Sequence, residues 1–288
     1  MKFLNPKTDF AFKKIFGSEN STDILLSFIN ALLGLKSPYR IQEVTLLDPY
    51  LAPKIRGMKD TYLDVRAKDE SGKHYIIEMQ VLNVAGFEKR VLYNACKAYA
   101  GQIGRGEDYH LLTDVIAITI TDFVMFPDVD AILNKFKLRA EEGDVYSDDL
   151  ELFFVELPKF TKNDDELNSI LEQWFYFLKH ADDLDAVPTS LKTTPPILHA
   201  FELARKSALT AEELEDQERR EIYIQDQRGA IQLAETRGRS EGREEGLEEG
   251  LEEMILQAYR AGMSVEQIAN MFGRVLSDVE KIVGSDGV

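Results

Sequence analysis

Between Thr61 and Gln80 the chain sets two acids and an amide into runs that otherwise read as sheet core, and this conflict limits what it can fold into. The first run is Thr61-Tyr62-Leu63-Asp64-Val65-Arg66-Ala67 and the second His74-Tyr75-Ile76-Ile77-Glu78-Met79-Gln80; between them, Asp69 to Lys73 is a typical hairpin connection. Strand side chains alternate faces, so Glu78 and Gln80 leave one side while Ile77 and Met79 leave the other. A carboxylate in an apolar strand is costly unless paired or bound to a cation. The hairpin brings Asp64 back toward Glu78, and two carboxylates with an amide at a strand edge match the donors of a divalent metal site.

Apolar residues at helical spacing predict a helix over 23–33, with Ser21 and Thr22 at its start and Gly34 as its stop. Ile41 to Leu47 reads as a strand broken by Pro49 and Pro53, and Phe87 to Gly104 as an amphipathic helix. The β-branched run Asp114 to Thr121 predicts a buried central strand, and Glu151 to Leu157, closed by Pro158, one more. From about Asn163 the pattern turns helical, with Trp174 expected in the core and Pro188, Pro195 and Pro196 marking a loop. The charged stretch Glu212 to Arg220 predicts a solvated helix face or coiled segment. Gly238, Gly242, Gly246 and Gly250 recur every fourth residue, which suits either a helix that packs closely on a second copy or a weakly helical linker. Residues 254–262, 264–271 and 277–282 then resemble a small helix-turn-helix unit, either a packing tail or a DNA reader with acids in its second helix. The expected division is 1–160, 161–235, 236–253 and 254–288.

Composition narrows the class. With 288 residues, 44% hydrophobic, the chain can bury a real core, and no apolar run approaches a membrane span, so a cytoplasmic protein is expected. Cys96 is the only cysteine and reads as a small buried side chain on a helix; the four histidines are scattered and give no zinc spacing. A net charge of −17 argues against coating nucleic acid by bulk electrostatics, but residues 1–110 carry 16 Lys and Arg against 13 Asp and Glu, leaving −20 to the remainder. The half with the paired acids is therefore the half suited to phosphates. No Walker loop, dinucleotide-binding glycine pattern or Gly-x-Ser-x-Gly elbow is present.

Four segments recur in a familiar order: Asp9 to Gly17 (DFAFKKIFG), Leu63-Asp64-Val65, Ile77-Glu78-Met79-Gln80, and Arg90-x-x-Tyr93 through Tyr99-x-x-Gln102. In this order they resemble the PD-(D/E)XK nuclease superfamily, specifically its Rpn branch of recombination-promoting nucleases and transposases, in which Glu-x-Gln replaces acid-x-Lys. The resemblance covers roughly the first half of the chain. It implies an α/β restriction-endonuclease-like core, a mixed central sheet flanked by helices, followed here by a helical C-terminal half. It also implies a Mg²⁺-dependent DNA endonuclease linked to recombination or mobile elements. Asp64 and Glu78 would be metal ligands, the Met79 carbonyl a further oxygen, and Gln80 the occupant of the lysine position. An amide there orients water or phosphate but supplies no positive charge and no general base.

Asp60 is a second candidate carboxylate for the metal or a loop-end surface acid, and Asp9 either a further ligand or a cap on the first helix. Arg90, Tyr93, Lys97 and Gln102 are the candidate DNA contacts. The competing arrangement of that helix turns Leu92, Cys96 and Tyr99 inward and leaves the cations as ordinary surface. The competing function is a catalytically weak nuclease fold used as an oligomeric interaction or DNA-binding module, with a homo-oligomer formed through 238–250.

Overall fold

The computed structural model describes residues 3–51, 61–206 and 209–285. Asp60 lies outside them. The chain divides into two compact units, Met1–Ile224 and Gln225–Val288.

The first unit opens with α1 (Asp9–Phe16) and α2 (Thr22–Leu33), followed by β1 (Val44–Leu46), β2 (Tyr50–Leu51), β3 (Thr61–Tyr62), β4 (Val65–Asp69) and β5 (His74–Gln80). Then come α3 (Phe87–Ala100), β6 (Val115–Thr121), β7 (Leu133–Arg139), β8 (Val145–Glu156), α4 (Ile170–His180), α5 (Pro195–Leu203) and the start of α6 (Ala211–Arg260). Six strands form one mixed sheet in the order β1-β4-β5-β6-β8-β7, and β2 pairs with β3 as a separate two-stranded ribbon. β5, β6 and β8 run parallel at the centre, with antiparallel partners outside them. A parallel step from β5 to β6 needs a crossover, and α3 supplies it.

Alternation along β5 separates two cores. Tyr75, Ile77 and Met79 face a large core shared with α1, α2, α4 and α5, while Ile76 packs with Ala95 and Ala98 of α3 and with Val115 and Ala117 of β6. Every residue of β6 is buried, as a strand covered on both faces requires. Trp174 sits fully buried among Phe16, Phe28 and Phe177, its indole N–H donating to Ser27 Oγ at 3.3 Å. The β4–β5 hairpin turns on Gly72, whose φ of +93° only glycine adopts without strain. Asp69 holds the turn by accepting from the N–H groups of Ser71 and Lys73 and from the Tyr75 hydroxyl.

Several local expectations change. The run from Thr61 to Ala67 is not one strand. Leu63 N–H donates to Pro49 O, β3 pairs with β2, and Asp64 stands at the bend before β4. Pro195 and Pro196 begin α5 and are not loop residues, because the first helical positions need no N–H partner. β7 went unanticipated: its sequence, LNKFKLR, alternates charge along an exposed edge strand and carries no apolar run. Cys96 is exposed on α3, not buried, because Phe87, Val91, Ala95 and Ala98 form the apolar stripe that docks.

In the second unit, Ile255 near the end of α6 meets Ile268 and Ala269 of α7 (Val265–Phe272) and Val279 of α8 (Leu276–Ser285) in a small core. Ser264 caps α7 and Gly273 ends it. The glycines at 238, 242, 246 and 250 are helical within α6. Among the described residues no helix is long and apolar enough to cross a membrane.

Replacing Trp174 by alanine is expected to lower stability by about 3–5 kcal/mol, the usual loss for a fully buried large aromatic. Urea unfolding of the full chain followed by far-ultraviolet circular dichroism measures it.

Candidate active site

Both acids line one trough at the carboxyl end of β5, where open α/β sheets commonly bind ligands. The β4–β5 ladder runs only to the pair Val65 and Ile77. One step further, the Met79 N–H, which a longer β4 would have taken, donates instead to Asp64 Oδ2 at 2.8 Å. Glu78, on the opposite strand face, accepts from Asn94 Nδ2 of α3 at 2.8 Å. Because the N–H and C=O of one strand residue face the same side, the Met79 carbonyl opens on the same strand edge as the N–H that Asp64 takes.

Both carboxyls are held uncharged more readily than in water. Burial, reinforced by Asp9, pushes Asp64 up to about 7 against the Met79 hydrogen bond and the Lys13 ammonium. Burial also raises Glu78, opposed by Asn94 and Arg90. Asp9 follows the opposite balance: burial pulls it up, but hydrogen bonds led by Lys13 hold it below the usual carboxylate range. Lys13 Nζ lies 2.6 Å from Asp9 Oδ1 and 3.5 Å from Asp64 Oδ1, and Arg220 of α6 donates to Asp9 Oδ2 at 2.8 Å. Nearby, Gln217 is buried and bonded to Thr8 Oγ1 at 3.0 Å, and Glu213 pairs with Lys14 at 3.2 Å. The first turns of α6 thus dock on α1 beside the acids.

A trough of about 1100 Å³ opens over this floor. Asp9, Asp64, Glu78, Met79, Gln80, Arg90 and Tyr93 all line it, together with Lys7, Lys89 and Asn94. Gln80 is held at both ends of its amide: Arg90 Nη2 donates to Oε1 at 2.6 Å and Nε2 donates to Leu82 O at 2.8 Å. Arg90 therefore brings a guanidinium against the Gln80 amide at the edge of the trough. Lys97 is buried to 8% exposure, bonded to Thr61 Oγ1, and is not among the lining residues. Gln102 does not reach the trough; it exchanges hydrogen bonds with the Thr113 backbone and braces the loop before β6. Of the face of α3 expected as an alternative, with Leu92, Cys96 and Tyr99 inward, only Tyr99 packs against the core; Leu92 and Cys96 are exposed, while Asn94 and Lys97 are buried.

Asp64, Glu78 and the Met79 carbonyl are all oxygen donors of the kind a hard divalent cation takes, and the two partly exposed carboxyls are ones whose ionisation a positive charge would favour. Among the described residues no group of three or more His, Cys, Asp or Glu side chains could hold a metal ion, so the backbone oxygen would have to join the two carboxylates. Sequence reasoning missed Lys7, Lys89 and Arg220. The first two carry no motif, and Arg220 is 211 positions from its partner.

The raised Asp64 has a measurable sign. Its folded value of about 7 lies above the ordinary 3.8, so in metal-free protein the group costs nothing below about pH 4 and its full penalty above about pH 7. Asp64→Asn is expected to stabilise the EDTA-treated protein at pH 8, with a ceiling of about 4 kcal/mol, and to leave it unchanged near pH 4. Denaturant titrations at the two pH values test this.

No curated protein and no solved structure matches the chain. A family model described as PD-(D/E)XK nuclease family transposase matches residues 6–234, a span that contains both acids, Gln80, the whole sheet and the docked turns of α6. The chain belongs to the PD-(D/E)XK nuclease family of transposases.

Proposed function

We propose that this chain is a divalent-cation-dependent DNA endonuclease that hydrolyses phosphodiester bonds, in a setting of recombination or mobile elements. The observation that carries the reading is that Asp64 and Glu78, both largely withdrawn from water, line one trough at the end of β5 together with Lys89 and Arg90. Asp64, Glu78 and the Met79 carbonyl are the proposed ligands of Mg²⁺, which when bound neutralises phosphate charge and makes an attacking water more acidic. Met79 N–H and Asn94 fix the two carboxylates before substrate arrives, so little reorganisation is left to the reaction. Arg90, held against Gln80, and Lys89 supply positive charge for the strand backbone. Gln80 accepts no proton at neutral pH, so its proposed part is orientation through a fixed amide. Lys97 and Gln102, on this reading, support α3 and Thr113 and do not contact DNA directly.

Asp64→Ala and Glu78→Ala are each expected to cut Mg²⁺-dependent plasmid nicking by at least about 1000-fold, with circular dichroism unchanged, and EDTA is expected to abolish the wild-type activity. Equal cleavage by wild type and both variants would remove the assignment. DNA binding without any cleavage would instead identify a binding module.

We also propose self-association through the glycine-spaced stretch 238–250. A Cβ added at any of its four glycines meets nothing within 4 Å, so that face of the helix is open for a second copy. Light scattering of the full chain carrying Gly242→Arg and Gly246→Arg is expected to report a lower mass than wild type; an unchanged mass removes the idea.

A further inference from the structure

The trough carries two tyrosines that phosphodiester hydrolysis by itself does not use. Tyr62 of β3 and Tyr93 of α3 both line it, and they stay 73% and 37% exposed. Each ring already has a partner behind it. Tyr50 lies against Tyr62 with centroids 4.8 Å apart and planes inclined at 31°, and the Lys97 ammonium stands 6.0 Å from the Tyr93 centroid. Lys97 is itself fixed, being buried and bonded to Thr61 Oγ1 at 3.2 Å. Rings this exposed add little to a core, but a ring backed by one partner and otherwise open is a fixed shelf for a flat ligand.

The rest of the lining narrows that ligand. Lys89 and Arg90 ask for negative charge, Lys7 being already paired with Asp122, while Val81, Leu82 and Val84 offer apolar surface beside them. A flexible polyanion with flat, apolar-faced groups along it satisfies both. In a duplex the internal bases are covered above and below by their neighbours and reach such shelves only after unstacking; in a single strand they are free to stack on aromatic side chains. We infer that the trough takes single-stranded polynucleotide, with unpaired bases stacked on Tyr62 and Tyr93 while the phosphate between them is presented to Asp64 and Glu78. The inference rests on reading those two acids as the phosphodiester site and names its substrate class.

The test is fluorescence anisotropy of the full chain in EDTA, where no cleavage intervenes. The probes are a labelled oligothymidylate of about 12 nucleotides, an abasic strand of equal length and a blunt duplex. The thymidylate is expected to bind at least about tenfold more tightly than the duplex or the abasic strand, by the usual worth of base stacking on aromatic side chains. Tyr62→Ala and Tyr93→Ala are each expected to weaken it by about 5- to 100-fold, and Tyr62→Phe and Tyr93→Phe to restore it. Alanine variants that bind within about twofold of wild type, or a duplex bound as tightly as the single strand, would overturn the inference. Plasmid nicking separates the two ideas: tyrosine-dependent binding with no Mg²⁺-dependent nicking sinks only the hydrolytic reading, and nicking with tyrosine-independent binding sinks only this one.

Discussion

The hydrogen bond from Met79 N–H to the Asp64 carboxylate is where sheet and site become one feature. A strand that continued would pair with this N–H through its backbone; here the chain bends and an acid takes the place. The ladder stops, the carboxyl is drawn out of water, and its affinity for a proton rises. The surroundings follow from that displacement. Lys13 and Asp9 gather beside the buried acid, Arg220 gathers on Asp9, and the crossover helix required by a parallel β5–β6 pair brings Asn94 over Glu78.

Much of this was legible locally. Alternation along His74 to Gln80 gave the right faces: Ile77 and Met79 enter the large core, and Glu78 and Gln80 face the trough. Asp69 to Lys73 forms the expected hairpin, and the β-branched run after Asp114 lies at the sheet centre. What escaped depends on partners far along the chain. Asn94 and Lys97 look like surface residues until Glu78 and Thr61 are placed beneath them, and those lie 16 and 36 positions away. Leu92 and Cys96 look like core until Val91, Ala95 and Ala98 prove the better stripe. The break at Asp64 has no residue signature, since neither glycine nor proline marks it.

Charge behaves in the same way, locally arranged and poorly described by its total. The chain as a whole carries −17, yet Lys89 and Arg90 share a trough with two acids that burial makes harder to ionise. A phosphate approaching this floor meets a weaker negative field than the composition suggests, and a cation bound there would weaken it further. Gln80 belongs to this arrangement. Its amide carries no charge, but by accepting from Arg90 it fixes where a delocalised charge stands.

The docking of α6 on α1 has a consequence for how the protein is made. Thr8 and Asp9 are synthesised well before Gln217 and Arg220, which follow 209 and 211 positions later. At synthesis rates of about 5–20 residues per second, the completed sheet, which ends at Glu156, and both acids wait roughly 3–12 seconds for the side chains that tether Asp9 and Thr8. A growing chain therefore holds the acidic floor in a looser setting than the finished one. The site is thus completed after the residues by which it is recognised have already been made.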